Sequence, residues 1–516
     1  MEPDVLLTNG RIYTGTAFDR TVSSVSVLSG RIAEIGEVSR GPKTEVIDLG
    51  GKTVMPAFID SHTHFCNYGL SLSSINLDGV SPIEEALEQI RGFVAGKKPG
   101  EWIRGIGWNQ NLWGRWPNRQ ELDQVAPHNP VVLTRKDFHL LWVNTRAIDA
   151  VGWNASTPDP AGGQIDRDPK TGELTGVIRE KAMEIFRALI PQPSREDWIE
   201  SIRIATREFH RFGITSVHTM EGPDEFKTLG YLNQTEGLGL RFHALIARAN
   251  LDEFVANGMR TGFGDEFLKV GPLKIFLDGS LGSQTAEMIR PFERTDNFGI
   301  TYTNDDELES LVDRATSSGV AVAMHAIGDK AVRRAIDHFE RLPASHLRHR
   351  IEHVQLVDPT DLERLRNLDL IASVQPIHLS SDARIAHEHW GDRSRWAYAF
   401  KSLRQHGMKL AFGSDCPVES PAVIPSIEAA HNRQSFDGED FFLEEALPVR
   451  EVLQAFTLGG AYASGEEALK GSIDVGKLAD MVVLSEDPLD TGDVGNIEVL
   501  RTLFAGKTVY SGDSGQ

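Results

Sequence analysis

Apolar and polar residues follow one pattern at the two ends of the chain and another in the middle. The ends carry short β-like stretches separated by glycine-containing turns: 5–13, 22–28, 31–35, 479–484 and 499–510. Strands this short need partners to be stable. We therefore expect residues 1–54 and 473–516 to pair into one small composite β-sandwich domain.

The middle of the chain, residues 55–472, alternates apolar runs with segments of helical periodicity. Helices are predicted at 82–95 and at 194–212, where Ser194 is the N-cap and Asp197 occupies the third helical position. Eight near-continuous apolar strands separated by helical segments predict an α/β fold, a (β/α)8 TIM-like barrel with its site at the carboxyl ends of the strands. The predicted strands are 54–60, 214–218, 242–247, 273–277, 320–325, 350–355, 371–376 and 409–412.

The interval between the first and second predicted strands is too long for a single crossover. Residues from about 66 to 200 are therefore expected to form an insertion over the barrel mouth. Trp108 and His139 within it are candidate substrate-binding residues, because tryptophan offers a large rigid surface to an apolar group. The preferred alternative is that the tryptophans form the core of the insertion itself.

Composition limits the classes of function. A net charge of −21 argues against binding to nucleic acid or to an anionic membrane surface, because both require a basic face. Cys66 and Cys416 are the only cysteines in the sequence, which provides neither a disulfide framework nor a thiolate zinc cluster. The sequence begins without a signal-peptide pattern and has no window long enough for a membrane span, so a cytoplasmic protein is predicted.

Two copies of His-x-His occur, and their contexts differ. His62 and His64 follow an apolar strand, on which alternate side chains share a face, so both imidazoles are expected to point the same way as metal ligands. His387 and His389 lie in a polar stretch and are interpreted as an exposed loop or lid segment.

Further candidates lie in or directly after other predicted strands. Lys274, His325, His353 and Asp415 belong to strands four, five, six and eight, so the barrel would bring them together with His62 and His64. Each has an ordinary structural alternative when taken singly, but six in the right registers favour a metal site.

These segments resemble the amidohydrolase superfamily, and the stretches starting at Lys274 and His325 resemble its amidohydrolase-3 branch, which includes N-substituted formamide deformylases. The resemblance implies one divalent ion held by His62, His64 and Asp415. A second ion would be held by His325 and His353 and bridged by carboxylated Lys274. The competing interpretation keeps Lys274 unmodified beside a single ion. Zinc is the expected metal, although such ligands also accept manganese or iron.

The implied enzyme is a metal-dependent hydrolase that cleaves a non-peptide C–N bond, in an amide or N-formyl amine, by metal-bound hydroxide. Asp415 would shuttle the proton, His353 or its neighbours would help to hold the oxyanion, and Asp278 and Ser280 would reach the substrate. One alternative is a single-metal deaminase or cyclic-amide hydrolase; another is a non-catalytic regulatory protein, against which the complete ligand set speaks. The expected partners are a small-molecule substrate and, from the resemblance, a second copy of the chain.

Overall fold

The computed structural model describes residues 2–72, 74–77, 79–135, 140–160, 163–180, 182–282, 284–343 and 346–512 of the 516-residue chain. The chain divides into two compact units. The first comprises Met1–Phe65 and Ala205–Gln516, and the second comprises Cys66–Ile204.

A nearly closed sheet of eight parallel strands forms the centre of the first unit. Each strand pairs with the next one along the chain, as in a TIM barrel, so the carboxyl ends of all eight face the same side. In chain order the strands are β1 Phe58–Thr63, β2 Ile214–Met220, β3 Arg241–Ala247, β4 Leu268–Phe276, β5 Val322–Ala326, β6 Arg350–His353, β7 Ile371–Val374 and β8 Lys409–Phe412.

The predicted first strand, 54–60, is in fact two strands in different sheets. Thr53–Pro56 pairs antiparallel with Met481–Leu484 outside the barrel, and β1 begins only at Phe58. The apolar run is continuous because it passes from one core directly into another. Its hydrophobicity therefore did not reveal the break at Ala57.

The two ends of the chain contribute to two further sheets. The four-stranded sheet has the order Arg31–Ile35, Val25–Leu28, Val5–Thr8 and Glu45–Asp48. The six-stranded sheet has the order Lys507–Ser511, Val499–Phe504, Met481–Leu484, Thr53–Pro56, Arg11–Thr14 and Arg20–Val22. Side chains from both sheets form one buried cluster, which includes Leu7, Val27, Val54, Met481 and Leu503.

The second unit has a sheet and a core of its own. Its strands have the order Gly163–Arg167, Leu174–Glu180, Leu140–Val143, Val131–Arg135, Ile103–Trp108 and Ile75–Asn76. One face buries Trp108 and Trp142 in a common cluster, and a separate cluster contains Ile148 and Phe186.

Helices connect the strands throughout. The α-helices are Phe65–Leu72, Ile83–Val94, Gln110–Trp113, Arg119–Val125, Thr145–Ala150, Met183–Leu189, Arg195–Arg211, Pro223–Thr235, Leu251–Ala256, Asp305–Ser317, Asp329–Phe339, Pro359–Leu365, Pro376–Trp390, Phe400–Gln405, Val423–Asn432, Val449–Gln454 and Gly460–Ala463. Short 3-10 turns are Arg248–Asn250, Gly391–Trp396, Leu443–Glu445 and Val494–Asn496, and Ala455–Gly459 is a π-helical turn.

Both helices predicted from periodicity are present. The cap predicted for the second is also confirmed: Ser194 Oγ accepts a hydrogen bond from the Asp197 backbone N–H, and Asp197 Oδ2 accepts one from the Ser194 N–H. Among the described helices, none combines the length and the apolar character that crossing a membrane requires.

Candidate active site

His62, His64 and Asp415 meet at the carboxyl ends of β1 and β8. The Nε2 atoms of both histidines lie 3.4 Å from Asp415 Oδ1. Ligand atoms about 2.1 Å from a tetrahedral zinc ion are separated by roughly 3.4 Å, so the three side chains fit a divalent ion. Within the described part of the chain, His62 Nε2 and Asp415 Oδ1 are buried without a hydrogen-bond partner, as suits ligand atoms.

Hydrogen bonds at Nδ1 fix the orientation of three of the predicted histidine ligands. In each, Nδ1–H donates to a side-chain oxygen, which leaves the lone pair of Nε2 for a metal. The acceptors are Glu352 Oε2 for His62 at 2.6 Å, Asp278 Oδ1 for His325 at 3.1 Å and Gln375 Oε1 for His353 at 2.8 Å.

Glu352 also carries a charge into the barrel interior. Its second oxygen lies 2.6 Å from Arg350 Nε, and both side chains are fully buried. Burial alone would raise the pKa of Glu352, but the neighbouring Arg350 and His62 outweigh it and lower the pKa. The carboxylate therefore stays ionised behind His62. Arg350 in turn reaches His218, with Nη1 3.0 Å from Nδ1.

Asp415 is an ionised carboxylate in a buried position. Burial would raise its pKa, yet the neighbouring imidazoles of His62, His64 and His353 hold the pKa well below its usual value. Its backbone is strained, with φ of 60°, and His353 has φ of 72°. Residues other than glycine seldom adopt such angles, which concentrate at functional sites.

Lys274 lies inside β4, facing the same centre. Burial lowers the pKa of its ammonium to about 8, against the opposing charges of Glu352 and Asp415. Its Nζ lies 5.0 Å from the centre of the Phe276 ring. Lowering the pKa increases the uncharged fraction of the amine, which is the form that reacts with CO₂.

The remaining predicted ligands are close neighbours. The His353 ring centre lies 4.5 Å from that of His325 and 4.8 Å from that of His62. A histidine that the sequence analysis did not select, His378, forms a second group with His353 and Asp415, in which the ligand atoms lie within 4.8 Å of one another. It lies four residues beyond β7, so a search extended one turn past each strand would have found it.

Two of the proposed substrate-binding residues have other surroundings. Asp278 is buried, and its carboxylate accepts backbone N–H groups from Glu287, Ile327 and Gly328 besides His325. We therefore assign Asp278 to the positioning of His325 instead of to substrate contact. Ser280 is exposed in the loop after β4, where its backbone N–H donates to Thr285 Oγ1.

The other two belong to the second unit, Cys66–Ile204. Trp108 has no exposed surface, its indole N–H donates to the Leu133 carbonyl at 2.9 Å, and its ring stacks on Trp113. These contacts agree with the alternative that the tryptophans form the core of the inserted unit. His139 lies outside the described residues.

The barrel groups histidine and aspartate side chains that could hold a metal ion at its strand ends, and the comparisons indicate the class of metal-dependent hydrolases. A solved structure described as an uncharacterized metal-dependent hydrolase from Pyrococcus furiosus matches with a TM-score of 0.80 and 33% identity, covering 94% of this chain and 100% of that one. The model of the amidohydrolase family matches residues 45–510. The chain belongs to this family.

Two relatives extend over almost the whole chain. The Arabidopsis thaliana protein LONG AFTER FAR-RED 3 is 32% identical over 98% of this chain and 91% of its own length. An N-substituted formamide deformylase from Arthrobacter pascens is 29% identical over 98% of both chains.

Proposed function

We propose that the protein hydrolyses the C–N bond of an amide or N-formyl amine, with Asp415 as the proton shuttle. The observation that carries the proposal is the position of Asp415, whose Oδ1 lies 3.4 Å from two histidine nitrogens in a buried site. The deformylase from Arthrobacter pascens supports the choice of bond. Zinc is the metal we expect.

The roles of the side chains follow from their chemistry. His62, His64 and Asp415 would hold a divalent ion, which would supply the Lewis acidity that activates water and polarises a carbonyl. Asp415 is ionised and can therefore accept a proton from the attacking water. It then donates that proton to the leaving nitrogen as the C–N bond breaks, so one water yields a carboxylic acid and an amine.

Product analysis and one substitution test this proposal. The zinc-loaded protein should release formate and amine in equal amounts from a series of N-formyl amines. Asp415→Asn should keep much of the metal, because both histidines remain, and should lose about 10³-fold in kcat through loss of the base. Elemental analysis and formate assay give the two quantities.

Three results would contradict the proposal. Near-normal turnover by the Asn variant would remove Asp415 from the proton transfer. Release of ammonia without formate would indicate a deaminase, and inactivity on all amides despite bound metal would exclude amide hydrolysis.

We also propose a second ion, held by His325 and His353 and bridged by Lys274 as a carbamate. The carbamate would form when the neutral amine attacks CO₂ and releases a proton, so that an anionic oxygen ligand stands where the ammonium was. The pKa of about 8 at Lys274 and the oriented nitrogens of His325 and His353 support this arrangement.

Counting metal per chain tests the second ion. Protein prepared with bicarbonate should hold two ions, and Lys274→Ala should hold no more than one, because the bridging oxygens are gone. Elemental analysis of both proteins measures this. A single ion in the wild type, unchanged by the substitution, would instead support a mononuclear site with an unmodified lysine.

A further inference from the structure

The two oxygens of Asp415 face different groups. Oδ1 lies 3.4 Å from Nε2 of His62 and of His64, whereas Oδ2 lies 4.0 Å from Nε2 of His378. The His378 side chain is only 7% exposed, and its Nε2 is buried with no hydrogen-bond partner among the described residues. Leaving a buried polar atom without a partner is unfavourable, so its retention calls for an explanation.

The position of His378 is fixed by the segment that follows β7. Its backbone N–H donates to the Gln375 carbonyl at 3.2 Å, in the first turn of helix Pro376–Trp390. The side chain of the same Gln375 accepts a hydrogen bond from His353 Nδ1. The rings of His378 and His353 are nearly parallel, 13° apart, with centres separated by 6.4 Å. Gln375 therefore helps to fix the positions of both imidazoles near Asp415.

Two features distinguish His378 from the metal ligands. Its distance of 4.0 Å from Asp415 exceeds the 3.4 Å found for His62 and His64. A separation of 4.0 Å is longer than a hydrogen bond, so Nε2–H of His378 can donate to a substrate atom beside Asp415. In addition, among the described residues no carboxylate or amide oxygen holds His378 Nδ1, in contrast to His62, His325 and His353.

We propose that His378 donates a hydrogen bond from Nε2 to the acyl oxygen of the substrate, beside the oxygen of Asp415 that handles the proton. This inference rests on the proposed amide hydrolysis. The acyl oxygen gains negative charge as water adds to the carbonyl, so the bond strengthens toward the transition state. His378 is thereby a catalytic residue that binds no metal.

Substitutions on one helix test the proposal. His378→Ala should lower kcat about 100-fold, the usual effect of losing one oxyanion donor. Its metal content should equal that of the wild type, and a phosphonate analogue of the tetrahedral intermediate should bind more weakly by a similar factor. His378→Gln, which keeps an N–H donor, should recover part of both losses. His387→Ala, nine residues further along the same helix, should match the wild type in every measurement.

The possible failures can be told apart. Loss of metal from His378→Ala would make the residue a ligand and overturn the proposal. So would a kcat within about threefold of the wild type, or a loss of kcat with unchanged affinity for the phosphonate. A wild-type protein that hydrolyses no amide would instead refute the proposed function on which the inference rests.

Discussion

His62-Thr63-His64 and His387-Glu388-His389 have the same spacing, but the first lies at the end of a barrel strand and the second near the end of helix Pro376–Trp390. Alternate residues of a strand share a face, and Nε2 of His62 and Nε2 of His64 each lie 3.4 Å from Asp415 Oδ1. Residues two apart on a helix point about 200° apart around the axis. The second pair accordingly diverges: His387 contacts Ser394, and His389 lies near Gln284.

The difference shows that spacing alone does not define a metal site. The prediction that the second copy lies in a loop was wrong, because the segment is helical, although His387 is exposed as expected. The first copy has a buried carboxylate in front of it, Asp415, and another behind it, Glu352. The second copy has neither arrangement among the described contacts. Secondary structure sets the direction of each pair, and burial sets the strength of its electrostatic environment.

The largest effect is expected from removing the first pair of histidines, and removal of the second pair is the control. His62→Ala/His64→Ala should abolish binding at the first ion site and lower kcat/KM by about 10³-fold or more, because Lewis acidity supplies several kcal/mol of stabilisation. His387→Ala/His389→Ala should keep the wild-type metal content and activity. Elemental analysis and the formate assay compare the two variants directly. Metal loss from the helical variant would break the comparison, since it would require a site on that helix.

Much of the barrel was predictable because most of its strands lie in apolar runs with helices between them. The prediction for 409–412 coincides with β8, and the other predicted barrel strands overlap the observed ones. Local rules also predicted the capping of the helix that begins at Arg195. The boundary at Ala57 was missed because both of its sides are buried in a core.

The hydrogen-bond partners and backbone angles of the site residues were harder to predict from the sequence. A position past a strand end indicates that Asp278 is near the barrel mouth, but not that backbone N–H groups and His325 occupy its oxygens. The positive φ angles of His353 and Asp415 depend on the tertiary structure and leave no local signal. Pairings such as His353 with Gln375 become visible only when the register between β6 and β7 is known.

A smaller effect on metal binding is expected from substituting the residue that hydrogen-bonds to Nδ1 of one histidine in each pair. Glu352→Gln retains an oxygen for His62 but removes the charge that balances Arg350, so metal affinity should fall about 10–100-fold, as is usual for such partners. Ser394→Ala removes the hydroxyl beside His387, whose exposed ring can turn to water, and should leave metal affinity unchanged. Competition with a chromophoric chelator measures both affinities.

Circular dichroism of the apoproteins separates an electrostatic effect from misfolding in this comparison. If Glu352→Gln folds normally and binds metal as tightly as Ser394→Ala, the direction imposed by β1 is sufficient to hold His62. The buried carboxylate would then serve to neutralise Arg350 within the barrel. If metal affinity falls only in the Glu352 variant, the strand sets the direction of the His62 ligand and the buried carboxylate raises its basicity. The two copies of the motif then differ in both respects, although their spacing is the same.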